Sequence, residues 1–172
     1  MHARISLPSP IVNEMIKKIL IALDYNPTAQ KVAEEGYALA KAMQAEVTLL
    51  HVIADAPYYS SVQYSPIMGL DSFGAAGLLQ VETAQEIKKA AGYFLDKTKE
   101  HLGNDAIGTV VAEGDFADTI LEISDQVDAG IIVMGTHSRR GLDKILMGSV
   151  AEKVLRQTKV PTYIIPTREV KQ

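Results

Sequence analysis

Five short apolar runs punctuate the chain, and segments with helical spacing separate them. Residues 19–23 are fully apolar and largely branched, the pattern of a strand covered on both faces. The run stops at Asp24, after which Asn26 and Pro27 offer a helix N-cap and a proline at the first helical position. From there to Met43, the residues Ala29, Val32, Ala33, Gly36, Ala40 and Met43 recur three and four apart. That spacing predicts an amphipathic helix whose small-residue stripe can lie close on a sheet. Residues 47–53 read as a second strand, and 78–102 as a long helix with Val81, Ala84, Ile87, Ala91 and Leu95 inward and Gly103 and Asn104 at its end. A third strand is expected over 107–112. Asp115 and Asp118 then suit the start of a helix carrying Phe116, Ile120, Ile123 and Val127 on one face. Residues 131–134 form the fourth strand, 150–158 the fourth helix and 160–165 the last strand.

This alternation predicts an α/β fold: a single doubly wound, five-stranded, mostly parallel sheet with helices on both faces. In such sheets a ligand sits beyond the carboxyl ends of the strands, where the strand order reverses. Asp24 ends the first strand and Gly135 the fourth, so their loops share one crevice if those strands are neighbours at the reversal. The segment from Gly135 to Ser149 has a layout suited to phosphate: a glycine ending a buried strand, a basic loop, then Gly148 and Ser149 opening a helix. Free N–H groups and the positive end of the helix dipole would face an anion there. Glycine lets the backbone come close, and Ser149 is expected to cap the helix or to donate to a phosphate oxygen.

Composition narrows the field. A chain of 172 residues suits one domain, here expected over 15–166, with an irregular extension at 1–14 and a tail at 167–172. The segment 54–77 reads as a long functional loop, lid or insertion, with Tyr58, Tyr59 and Tyr64 available to cover a ligand or partner. Cysteine is absent, which removes disulfides and thiolate metal sites, and the four histidines lack ligand spacing. No protein-held metal is expected. A net charge of -4 argues against a nucleic-acid partner, and no apolar run reaches the ~18 residues of a membrane span, so a cytoplasmic protein is expected. The P-loop pattern and the dinucleotide G-x-G-x-x-G are missing, and Asp24 has no acidic neighbour of the kind a phosphoryl-receiver site needs.

The chain from 15 to 166 resembles the universal stress protein family. The likeness rests on the run from Lys17 to Asp24, on the run from Val47 to Val52, on the run from Val110 to Asp115, and above all on the closing segment from Ile132 to Leu155. The resemblance implies strand order 3-2-1-4-5 and a homodimer through the last strand, with Val160, Tyr163 and Ile165 buried between edge strands. It implies ATP or a related adenine nucleotide as ligand, with Mg²⁺ or Mn²⁺ held by its phosphates. Carried over by position, Ala22, Leu23 and Asp24 would flank base and ribose, and the Val52 backbone would read the adenine edge. Met134, Gly135 and Thr136 would line the floor. The backbone of Gly148, Ser149 and Val150 would hold the phosphates, with His137, Ser138 and Arg139 beside them.

One position departs from that pattern. The family's G-x-x-G, nine residues, G-[S/T] appears with Ser138 as its second glycine, and a further hydroxyl of some relatives is Ala151. If the backbone there needs a positive φ, serine costs about 1 kcal/mol; alternatively its hydroxyl donates to a phosphate. Other positions also have two readings. Asp24 is either a nucleotide contact or a strand-end residue helping to cap the next helix. Arg139, Arg140 and Lys144 are either phosphate partners or solvated charges, and His51, inside an apolar strand, reads as a packed, hydrogen-bonded histidine. The functional expectation is a nucleotide-dependent switch or sensor in stress response with no catalytic residue. The alternatives are a dimeric interaction module that binds no nucleotide, and a slow ATP hydrolase.

Overall fold

Strand β1 (Lys18–Leu23) is the centre of the molecule because its apolar run is buried on both sides. The computed structural model describes residues 16–25, 27–53, 84–136 and 147–167. Within them β1 is followed by α1 (Ala29–Met43), β2 (Glu46–Ile53), α2 (Ala84–Leu102), β3 (Gly108–Glu113) and α3 (Phe116–Gln126). The chain continues through β4 (Ile131–Gly135), α4 (Ser149–Gln157) and β5 (Thr162–Ile165). The five strands form one parallel sheet in the order β3-β2-β1-β4-β5. The expected doubly wound α/β architecture is therefore the observed one, including the order that the family resemblance implied.

Alternation along β1 divides the core in two. Ile19, Ile21 and Leu23 pack with Val32 of α1 and with Phe94 and Leu95 of α2. Leu20 faces the other way, towards Ile120 of α3, Val154 of α4, and the β4 residues Ile132 and Met134. The small stripe of α1 is buried as expected, and Gly36 shows why it is small. A Cβ there would stand 2.8 Å from Ile21 Cδ1 and 3.0 Å from Val133 Cγ1.

Helix ends follow local chemistry. Gly103 adopts φ +67° and its N–H closes α2 on the Lys99 carbonyl. Asp115 caps α3 by accepting from the N–H groups of Ala117 and Asp118, each at 3.1 Å. The start of α1 corrects the sequence expectation: Thr28 holds the cap position and Ala29 is the first helical residue, with Val32 N–H donating to Thr28 O at 3.2 Å. The fixed φ of Pro27 serves the turn before the helix instead, a position proline suits equally. Asn26 lies outside the described residues, as do Val81, the extension 1–14 and the loop 54–77. In α2, Ile87, Ala91 and Leu95 point inward as expected, joined by Phe94 and Thr98. Among the described residues, no helix is long and apolar enough to cross a membrane.

Candidate functional site

The chain winds outward from β1 through β2 to β3, then returns to the other side of β1 with β4 and β5. Strands β1 and β4 are direct neighbours, with Ile19 opposite Ile131 and Ile21 opposite Val133. Their carboxyl ends thus meet at the reversal of strand order, the place where open α/β sheets leave a crevice. Ala22, Leu23 and Asp24 occupy the β1 side of this edge, Leu23 being buried and the other two half-buried. Val52 is buried near the end of β2. Met134, Gly135 and Thr136 come from β4, and Gly148, Ser149 and Val150 from the start of α4.

Thr136 ties these parts together. Its N–H donates to Ile165 O at 2.9 Å and its carbonyl accepts from Gly148 N–H at 2.7 Å. Its Oγ1 accepts from Thr167 N–H at 3.1 Å and lies 3.1 Å from Thr167 Oγ1. The residue after β4 and the cap of α4 are therefore joined directly. His137, Ser138 and Arg139, with Arg140 and Lys144, lie outside the described residues. Gly135 is a glycine for packing: a Cβ would meet Thr167 Cγ2 at 2.8 Å and Val32 Cγ2 at 3.2 Å. That space is occupied by Thr167 and Val32 of the protein itself.

The start of α4 also differs from expectation in its cap. Gly148, not Ser149, is the cap residue, with φ -70° and ψ 154°, and Ser149 is already helical. Those angles suit any residue, so glycine here is not a demand of the backbone. The first intrahelical bond runs from Glu152 N–H to Gly148 O at 3.0 Å. The amides of Ser149, Val150 and Ala151 precede it and point out of the helix end. The neighbouring α3 contrasts with this. Its first amides are taken by the Asp115 carboxylate, and Lys153 of α4 pairs with Asp115 at 3.0 Å and Asp118 at 2.8 Å. The Asp118 N–H and the Lys153 ammonium hold the Asp115 carboxyl below its usual range. An anion is thus opposed at α3 by a resident carboxylate and favoured at α4 by amides that have no partner among the described residues.

Sequence reasoning missed the segment after β5. Thr167 covers Gly135, and Lys31 of α1 donates to Pro166 O at 2.7 Å, pinning the same segment. No periodicity marks such residues; only strand order brings them to this edge. Among the described residues no group of three or more His, Cys, Asp or Glu is placed to hold a metal ion.

The universal stress protein family matches residues 15–166. Universal stress protein MJ0531 of Methanocaldococcus jannaschii is 32% identical over 88% of this chain and 82% of its own. Among solved structures, that of MJ0577 superposes with a TM-score of 0.65 at 24% identity, covering 90% of this chain and 99% of that one. A universal stress protein from Archaeoglobus fulgidus in complex with dAMP gives 0.54 at 18% identity, over 87% of this chain and 98% of that one. The chain belongs to the universal stress protein family.

Proposed function

We propose that this family member binds ATP, or a related adenine nucleotide, and acts as a homodimeric switch or sensor in stress response. The observation that carries the reading is the open N-terminal end of α4 beside the strand-order reversal, capped by a glycine whose backbone angles do not require one. Asp, Ser or Asn would cap that helix better, but a side chain there would fill the space an anion needs. Glycine keeps both the room and the N–H groups.

On this reading the phosphates lie over Gly148, whose own N–H is held by Thr136 O, and against the amides of Ser149 and Val150, with His137, Ser138 and Arg139 alongside. Base and ribose lie against Ala22, Leu23, Asp24 and the Val52 backbone, over a floor of Met134 and Gly135, with Thr136 following at the end of β4. A divalent cation, Mg²⁺ or Mn²⁺, travels with the phosphates. The dAMP complex of the Archaeoglobus relative supports an adenine nucleotide as the ligand class. Contacts that exist only in the bound state would bias the loops around the crevice, which is what a switch requires.

Equilibrium dialysis against ATP with Mg²⁺ tests the reading. Uptake near one nucleotide per chain is expected, and Gly148→Val should abolish it by filling the phosphate space. A wild-type protein that takes up none at millimolar ATP would sink the proposal. It would leave the interaction module, with Ser138 as the residue that closed the site.

A further inference from the structure

We propose that Thr136 is a positioning residue: it does not contact the ligand but fixes where the anion-binding end of α4 stands. This rests on the nucleotide reading above, and assigns Thr136 a different part from that of floor residue.

Thr136 is the last described residue before the loop, and each of its polar groups is engaged by the protein. The N–H is held by β5 through Ile165 O at 2.9 Å, and the carbonyl holds Gly148 N–H at 2.7 Å. The hydroxyl accepts from Thr167 N–H at 3.1 Å, and the two threonine hydroxyls lie 3.1 Å apart. Thr167 in turn fills the space above Gly135, its Cγ2 only 2.8 Å from where a Cβ would stand. Lys31 anchors the preceding residue through Pro166 O at 2.7 Å. The threonine clasp therefore fixes the peptide plane whose carbonyl receives Gly148. Gly148 is the cap of α4, so the direction of that carbonyl sets the position of the three open amides that follow.

The consequence is selective. Loosening the clasp should weaken a ligand held by its phosphates and spare one without them. Thr136→Val keeps the shape and removes the hydroxyl, whereas Thr136→Ser keeps the hydroxyl. Isothermal titration with ATP-Mg should show Thr136→Val about three- to tenfold weaker than wild type, the loss expected of one net hydrogen bond. Thr136→Ser should stay within about twofold, and adenosine should bind all three alike.

Equal ATP affinity in Thr136→Val, or an equal loss for adenosine, overturns the proposal. Amide hydrogen exchange gives a second readout that needs no nucleotide. The Gly148 and Thr167 amides should be protected in wild type and in Thr136→Ser, and exposed in Thr136→Val. If wild type takes up no ATP, the nucleotide reading fails, and exchange still decides the clasp: unprotected amides in wild type, or unchanged protection in Thr136→Val, overturn it.

Discussion

His51 shows how a single side chain can be charged with holding a strand end. It is 3% exposed, its ring 4.2 Å from that of Tyr25 and 5.8 Å from that of Phe94. Nδ1 lies 2.8 Å from Leu23 O, so Nδ1 carries the proton and donates to the carbonyl at the end of β1. Nε2 is buried with no hydrogen-bond partner among the described residues. Protonating it would bury a charge with an unpaired N–H, and burial accordingly pushes the pKa down from 6.5 to about 4. The unfolded chain then binds the proton first. Stability from this group is fully present above pH 6.5, and is lost as pH falls towards 4, by about 2–3 kcal/mol. Urea unfolding at pH 7 and pH 4.5 should show that fall, and His51→Asn, which has no titrating ring and can still donate to Leu23, should flatten it. A wild type equally stable at both values would refute the assignment. That His51 is packed and bonded was legible from its apolar setting. Its partner was not, because Leu23 meets it only through the register of β1 with β2. The same holds for Thr136, whose partners come from β5, α4 and the segment beyond β5.

At the scale of elements, local chemistry was legible and inter-element contact was not. The spacing of small residues announced that α1 would lie close to something, and the structure identifies it as Ile21 and Val133 under Gly36. Gly36→Ala should therefore cost about 1–3 kcal/mol by overpacking, despite alanine's better helix propensity. Chemical denaturation measures it; a neutral or stabilising result would mean that α1 stands further from the sheet. The acidic start of α3 was equally readable, since Asp115 needs only the amides of its own turn. Asp115→Ala should lower stability by about 1 kcal/mol, while Asp115→Asn should retain most of the cap. Equal losses in both variants would place the effect in the pair with Lys153 rather than in the cap. The start of α1 was misread because proline fits a turn and a helical first position alike. The Gly148–Ser149 pair was read one residue late for a related reason: either residue type is common at a cap.

At the scale of the whole molecule, β5 is one of the two edge strands of the sheet, with β3 at the other side. The expected homodimer was to bury Val160, Tyr163 and Ile165, and the fold revises that face. Ile165 is only 2% exposed within the chain and Val160 is packed against the core, whereas Tyr163 is 43% exposed. The residues left to a partner are therefore Tyr163 and the outer backbone groups of β5. Those groups follow from the ladder. Pro161 O accepts from Ile132 N–H and Ile165 O from Thr136 N–H, so alternate residues, Thr162 and Ile164, direct their N–H groups away from β4. A proline at Thr162 removes one outward donor and leaves the bonds to β4 in place, a substitution that edge strands tolerate. If two β5 strands pair across a dimer axis, Thr162→Pro should sediment as a monomer at concentrations where wild type is a dimer. Its unfolding midpoint, measured where both are monomeric, should change little. A variant that remains dimeric would move the interface off this edge, and a wild type that stays monomeric at high concentration would remove the dimer from the proposed switch altogether.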